Sequence, residues 1–208
     1  MNTGQVIVLV VTLVAMMANW WSRIGDRGTL EHWSKPLATI GVIGLALVSG
    51  ASHTTVGWAV AALTLCLVGD VALLPKIDRF VLGLGAFLLG HLAFIVVFCL
   101  QGLHQARLAG IALVAVALMI TTVGRVIVLS VDTPALRRPV LGYLVVISAM
   151  ASVGWATGTA WVMVGAVAFV VSDAVLGWGQ FVRERPWMPI TVMVTYHAAI
   201  ACLALSLW

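Results

Sequence analysis

The chain has 208 residues, 62% of them hydrophobic and only 9% charged, with a mean hydropathy of +1.14. Soluble domains carry roughly 25% charged residues, so the composition excludes a water-soluble globular domain and points to an integral membrane protein with little mass outside the bilayer. The excess of basic over acidic residues, 11 to 7, does not signal nucleic-acid binding, because the bases lie in short loops between apolar runs rather than on one solvated face.

A membrane-crossing helix needs about 20 apolar residues. Eight stretches qualify, at 4–22, 36–52, 55–74, 80–100, 107–130, 139–157, 159–181 and 187–207. The first has no basic segment before it and no A-x-A cleavage site, so it is expected to be a retained helix rather than a signal peptide. The second opens with Lys35-Pro36-Leu37, and proline suits a helix's first turn. Ser52-His53-Thr54 forms a tight polar turn into the third, which carries Asp70. The fourth holds Gly83, Gly85, Gly90 and His91. Its glycines are read as helix-packing positions, since a phosphate loop would follow a strand. The fifth ends with Arg125, close enough to a membrane face to snorkel. The sixth opens with Arg138-Pro139-Val140 and has Tyr143 one turn in. Thr157-Gly158-Thr159 turns into the seventh, which carries Asp173, and the eighth holds Tyr196 and His197. Cys66, Cys99 and Cys202 fall in apolar runs and are expected to be small buried hydrophobes. Trp20, Trp21, Trp33, Trp187 and Trp208 stand near span ends, as interface-belt residues do.

The loop charges orient this array. Arg23, Arg27, Lys35, Lys76, Arg79, Arg137, Arg138, Arg183 and Arg185 all lie in the odd-numbered loops, whereas the even loops and both tails hold only Arg107. By the positive-inside rule the odd loops are cytoplasmic and both termini face outward. Lys35-Pro36 and Arg138-Pro139 stand 103 positions apart, as do Asp70 and Asp173. That shared offset suggests duplication of a four-helix unit, as 1–104 and 105–208, within one membrane domain. An even number of spans per unit makes the halves parallel. The expected fold is therefore an all-α, polytopic bundle of eight transmembrane helices.

An ionised carboxylate inside a membrane costs several kcal/mol, so Asp70 and Asp173 are functional candidates. Helix rise puts both in the cytoplasmic half. Asn19, Lys35, Arg125 and Tyr143 fall at similar depth, with His91, Tyr196 and His197 nearer mid-membrane. A polar cavity opening to the cytoplasmic leaflet satisfies this distribution. Two carboxyls in one low-dielectric site can share a single proton, the arrangement glycosidases use. The same logic suits an ether activated by an adjacent double bond. Protonating the vinyl carbon gives an oxocarbenium ion, water adds, and the hemiacetal collapses to an aldehyde and an alcohol, with no metal or nucleotide required.

At these residues the chain resembles the YhhN-like membrane proteins, which include animal lysoplasmalogenases. The resemblance rests on Lys35-Pro36-Leu37, on Gly69-Asp70 with Leu73, and on Gly83, Phe87 and His91. It continues through Tyr143, Gly165, Phe169, Ser172-Asp173 and Tyr196. Where such proteins carry a glutamine shortly after that tyrosine, this chain has Ala198-Ala199-Ile200. The resemblance implies an eight-helix enzyme that hydrolyses the vinyl ether of a lysoplasmalogen, releasing a fatty aldehyde and glycerophosphocholine or glycerophosphoethanolamine.

The expected catalytic pair is Asp70 and Asp173, with the deeper Asp173 favoured as proton donor. Lys35, Asn19, His91, Arg125, Tyr143, Tyr196 and His197 are the expected substrate-binding residues. Lys35, with Arg125 or Arg138, would hold the phosphate. No metal or cofactor is expected, and the expected setting is the inner membrane of a bacterium, among membrane lipids. Two rival readings differ in kind. A proton-coupled transporter or lipid-binding protein would suit the duplication, but alternating access needs a polar path to both faces. A zinc hydrolase would need His91 and His197 together with an aspartate.

Overall fold

The computed structural model describes residues 2–25 and 27–208. It is all helix: α1 (Thr3–Ile24), α2 (Gly28–Leu47), α3 (His53–Ala72), α4 (Phe80–Gln101), α5 (Ala106–Leu129), α6 (Pro134–Ala156), α7 (Ala160–Phe181) and α8 (Met188–Leu205). Seven of these are long and apolar enough to cross a membrane, making the protein a polytopic helical membrane bundle. The exception is α2, whose first two turns carry Glu31, His32, Ser34 and Lys35. Eight spans were expected, one of them at 36–52. The correction is that α2 mixes a polar turn with an apolar body.

Two helices start earlier than their hydrophobic runs. Pro36 and Pro139 lie inside α2 and α6 rather than in their first turns. A proline inside a helix removes one backbone bond, which membrane helices tolerate where neighbouring groups re-satisfy the backbone. The polar leading turns extend each helix beyond the apolar stretch that hydropathy detects. Tight turns are capped as their composition demands. Ser52 caps α3 by accepting from the Thr55 amide at 3.2 Å. Gly158, at φ +72°, turns the chain between α6 and α7 in a conformation that side chains disfavour.

Consecutive helices pair as hairpins, α1 with α2, α3 with α4, α5 with α6, and α7 with α8. Helix α2 also packs on α3 and α8, while α6 packs on α7 and α4. The shared core contains Leu45, Leu63, Phe94, Phe98, Met150 and Phe169, all with under 2% exposure. In a bilayer, close backbone approach holds helices together more than apolar burial does. Gly90 provides one such approach, since a Cβ there would stand 3.2 Å from the Ala62 carbonyl oxygen. Gly83 makes room for the Leu73 side chain, which a Cβ would meet at 2.8 Å, but Gly85 faces outward with nothing near it.

Helix α5 is the outlier, with few buried side chains. It widens into a π turn at Ile120–Gly124. The hydroxyls of Thr121 and Thr122 donate to the Ala117 and Leu118 carbonyls, capturing acceptors beside the distorted turn. Of the cysteines, Cys66 and Cys202 are buried but Cys99 is exposed on an outer face. Trp21, Trp33 and Trp187 point outward as belt residues do, whereas Trp20 turns inward.

Candidate active site

Asp70 and Asp173 come from α3 and α7 and line one cavity of about 220 Å³. Its mouth is formed by Arg23 at the end of α1, Glu31 and Lys35 at the start of α2, Pro75 after α3, Gln180 at the end of α7 and Glu184 in the loop that follows. These all belong to the end of the bundle where the odd loops lie. The polar groups therefore converge on one side, as the charge pattern suggested.

The two carboxylates have different surroundings. Asp70 is fully buried. Its Oδ2 accepts hydroxyl bonds from Thr39 of α2 at 2.5 Å and Tyr196 of α8 at 2.7 Å. Its Oδ1 faces the Lys35 ammonium at 3.6 Å and has no hydrogen-bond partner among the described residues. Asp173 keeps 12% of its side chain exposed. Its Oδ2 accepts from the Tyr143 hydroxyl of α6 at 2.5 Å. The His91 Nε2 of α4 stands 3.8 Å away, beyond hydrogen-bond reach. Among the described residues no lysine or arginine lies within ion-pairing distance of Asp173.

Packing fixes these side chains. Phe87 lies against Gly69, where a Cβ would stand 2.6 Å from the ring, so the residue before Asp70 must be small. The same ring meets Tyr196 edge-on at 5.7 Å. His91 is clamped edge-on between Tyr143 and Phe169. Ser172 donates to the Val192 carbonyl at 3.2 Å, tying α7 to α8 beside Asp173.

Of the nine expected site residues, Asp70, Asp173, Lys35 and Tyr196 line the cavity, while Tyr143 and His91 stand beside Asp173 without lining it. Asn19 and His197 are fully buried but do not line the cavity. Asn19 donates to Ser34 at 3.2 Å, and His197 Nδ1 accepts from the Trp20 indole at 2.9 Å. They brace α1 against α2 and α8. Arg125 is exposed, in a surface groove with Thr121 and Leu141, and Arg138 is exposed too. Neither reaches the aspartates. Arg23 takes the place expected of them at the mouth, paired with Glu31 at 2.5 Å. Thr39 and Glu31 were missed, although Glu31, Lys35 and Thr39 stand four apart and so share one helix face. Gln180 follows Asp173 by seven, which is the same signal on α7.

A model of the YhhN family matches residues 30–207. A lysoplasmalogenase of Mycobacterium bovis is 33% identical over 148 residues, covering 68% of this chain and 57% of its own length. Lysoplasmalogenase TMEM86B of Rattus norvegicus is 32% identical over 164 residues, 77% of this chain and 65% of its own. The protein of that name from Homo sapiens is 32% identical over 147 residues, 70% of this chain and 61% of its own. The chain thus spans less than two thirds of the length of these relatives. No solved structure matches it. The family match takes in most of α2 and all of α3 to α8, helices that carry both aspartates and every donor to them, and the chain belongs to the YhhN family.

Proposed function

We propose that this protein is a membrane hydrolase that cleaves the vinyl ether of a lysoplasmalogen into a fatty aldehyde and a glycerophospho-alcohol. The observation that carries the reading is the unequal pair of aspartates on one cavity. Asp173, partly exposed and without a cation, is the proton donor. Asp70, facing Lys35 and held by two hydroxyls, is the ionised partner.

In the proposed reaction the Asp173 carboxyl protonates the vinyl carbon remote from the ether oxygen. The resulting oxocarbenium ion is stabilised by the Asp70 carboxylate. Water adds to the cationic carbon and gives its proton to Asp70, whose unpartnered Oδ1 is a ready acceptor. Asp173 then takes the hemiacetal hydroxyl proton while Asp70 protonates the departing ether oxygen. The C–O bond breaks, and both carboxyls return to their starting states. Arg23 and Lys35 bind the phosphate at the mouth.

In the same reading α2 also crosses the membrane, making eight spans with both termini outside and the cavity open to the cytoplasmic leaflet of a bacterial cell membrane. A duplicated unit, as 1–104 and 105–208, is supported by the packing. Shifting each helix by four turns the α2–α3 and α2–α8 contacts into α6–α7 and α6–α4. The neighbours of the two acids follow the same shift. Thr39 and Tyr196 reach Asp70 from α2 and α8, and Tyr143 and His91 approach Asp173 from α6 and α4.

The test is to incubate purified protein with lysoplasmalogen and measure free aldehyde, with Asp70→Asn and Asp173→Asn alongside. Turnover by wild type and silence of both folded variants is expected. Near-wild-type rates in either variant would remove that residue from the mechanism. No aldehyde from wild type would overturn the reaction.

A further inference from the structure

The outer face of the bundle carries charge that the candidate site does not use. A groove of about 330 Å³ lies between α5 and α6, walled by Ile120, Val128 and Leu129 of α5 and by Leu141 of α6, with Arg125 among them. Arg138 stands one turn before Leu141 and is exposed on the same face of α6. Helices α5 and α6 pair as a hairpin. Arg125 is about 6 Å of helix rise from Leu129, the end of α5, and Arg138 is the same rise from Pro134, the start of α6. Two cations therefore face one strip of lipid at one depth. Among the described residues neither has an ion-pair partner, and Asp132 in the loop between the helices pairs with neither. Arg137 differs from its neighbour, because its Nε donates to the Val131 carbonyl at 3.1 Å.

We infer that the α5–α6 groove binds a two-chain phospholipid of net negative charge, its phosphate held between Arg125 and Arg138 and its acyl chains running inward past Ile120 and Thr121. The inference is independent of the hydrolase reading. An arginine keeps its charge at any depth, and its planar fork matches a phosphate with two parallel bonds. On a lipid-facing helix that charge is costly unless a counter-charge meets it. A zwitterionic lipid brings its own ammonium beside the phosphate, which two arginines repel, so net charge selects the occupant. The backbone shapes the groove. The π turn Ile120–Gly124 directly precedes Arg125 and supplies Ile120, Thr121 and Gly124 to the wall. At Gly124 a Cβ would stand 3.3 Å from Leu144 Cδ1, so the helices approach closely where Arg125 leaves the seam. The lipid has structural work to do there. Only Ala112, Val116, Gly124 and Ile127 of α5 are buried. A phosphate shared by Arg125 and Arg138 ties this loosely packed helix to α6.

The test uses the purified full chain in a neutral detergent. Native mass spectrometry follows titrations with phosphatidylglycerol, with phosphatidylcholine and with inorganic phosphate. Phosphatidylglycerol is expected to bind about tenfold tighter than phosphatidylcholine and to raise the thermal midpoint, while inorganic phosphate is not retained. The double variant Arg125→Gln/Arg138→Gln should weaken phosphatidylglycerol about thirtyfold and remove its effect on the midpoint. Lys76→Gln/Arg185→Gln takes the same charge from the exposed α3–α4 and α7–α8 loops and should change neither reading. Leu141→Trp fills the groove with both arginines kept, should also weaken phosphatidylglycerol, and serves if the first double variant does not fold. Equal affinity for the two lipids would overturn the selection by charge. Equal losses from the two double variants would overturn the site, leaving only the net charge of that face. Inorganic phosphate retained as tightly as lipid would overturn the lipid as occupant.

Discussion

Replacing Lys35 with methionine removes a cation 3.6 Å from Asp70 Oδ1, where the two side chains are 7% and 0% exposed. At an effective dielectric of about 20, unit charges at that distance attract by about 4–5 kcal/mol. Stripping one partner from a buried pair typically costs about 3–5 kcal/mol, because the remaining charge is left uncompensated. In a membrane protein the unfolded helices stay in the bilayer and find other partners, which pulls the figure to about 3 kcal/mol. Lys35→Met is therefore expected to lower the unfolding free energy by about that amount. The double variant Lys35→Met/Asp70→Asn no longer buries the carboxylate, so it should lose about 2 kcal/mol less than the sum of the single variants. Tryptophan fluorescence during detergent titration in mixed micelles measures all three. Additivity within about 0.5 kcal/mol would refute the claim that Lys35 compensates Asp70.

Tyr143→Phe deletes the 2.5 Å bond to Asp173. In the proposed step Asp173 becomes ionised as it gives up its proton, and a bond to a charged group is worth about 1.5–3 kcal/mol, so kcat/KM for aldehyde release should fall roughly ten- to hundredfold while the fold persists. Gly69→Ala puts a Cβ 2.6 Å from the Phe87 ring. It should cost about 1–3 kcal/mol of stability by overpacking, and a second change, Phe87→Leu, should restore much of it in thermal unfolding. Arg23→Gln should raise KM about tenfold by weakening phosphate binding at the mouth, the equivalent of about 1.4 kcal/mol. Arg125→Gln, on the outer groove, should leave both constants near wild type, and an equal effect of the two substitutions would place the phosphate elsewhere.

Much of this arrangement is legible in the sequence because membranes punish misplaced charge. Asp70 and Asp173 declare themselves by their cost, and the basic loops identify the end of the bundle at which their cavity opens. Lys35 is legible through its nearness to Asp70 in depth. The failures have physical reasons too. Depth says nothing about which way a residue faces around its helix, so Arg125 was grouped with residues it never meets. Asn19 and His197 share the depth of the site but spend their hydrogen bonds on Ser34 and Trp20. Hydropathy also misplaced the starts of α2 and α6, because Gly28–Ser34 and Pro134–Arg138 are helical without being apolar. Glu31 and Thr39 lie in the four-residue spacing around Lys35, a pattern that charge counting passes over.

The partners of Asp70 arrive in a definite order as the chain is made. Lys35 and Thr39 precede it by a single helix, so the acid enters the bilayer with a cation and a hydroxyl already synthesised to receive it. Tyr196 comes 126 residues later, in the final helix. Asp173 likewise follows both His91 and Tyr143. Neither carboxylate is ever the first member of its cluster to be inserted, so the chain's direction of synthesis shields the most expensive groups in the molecule during assembly.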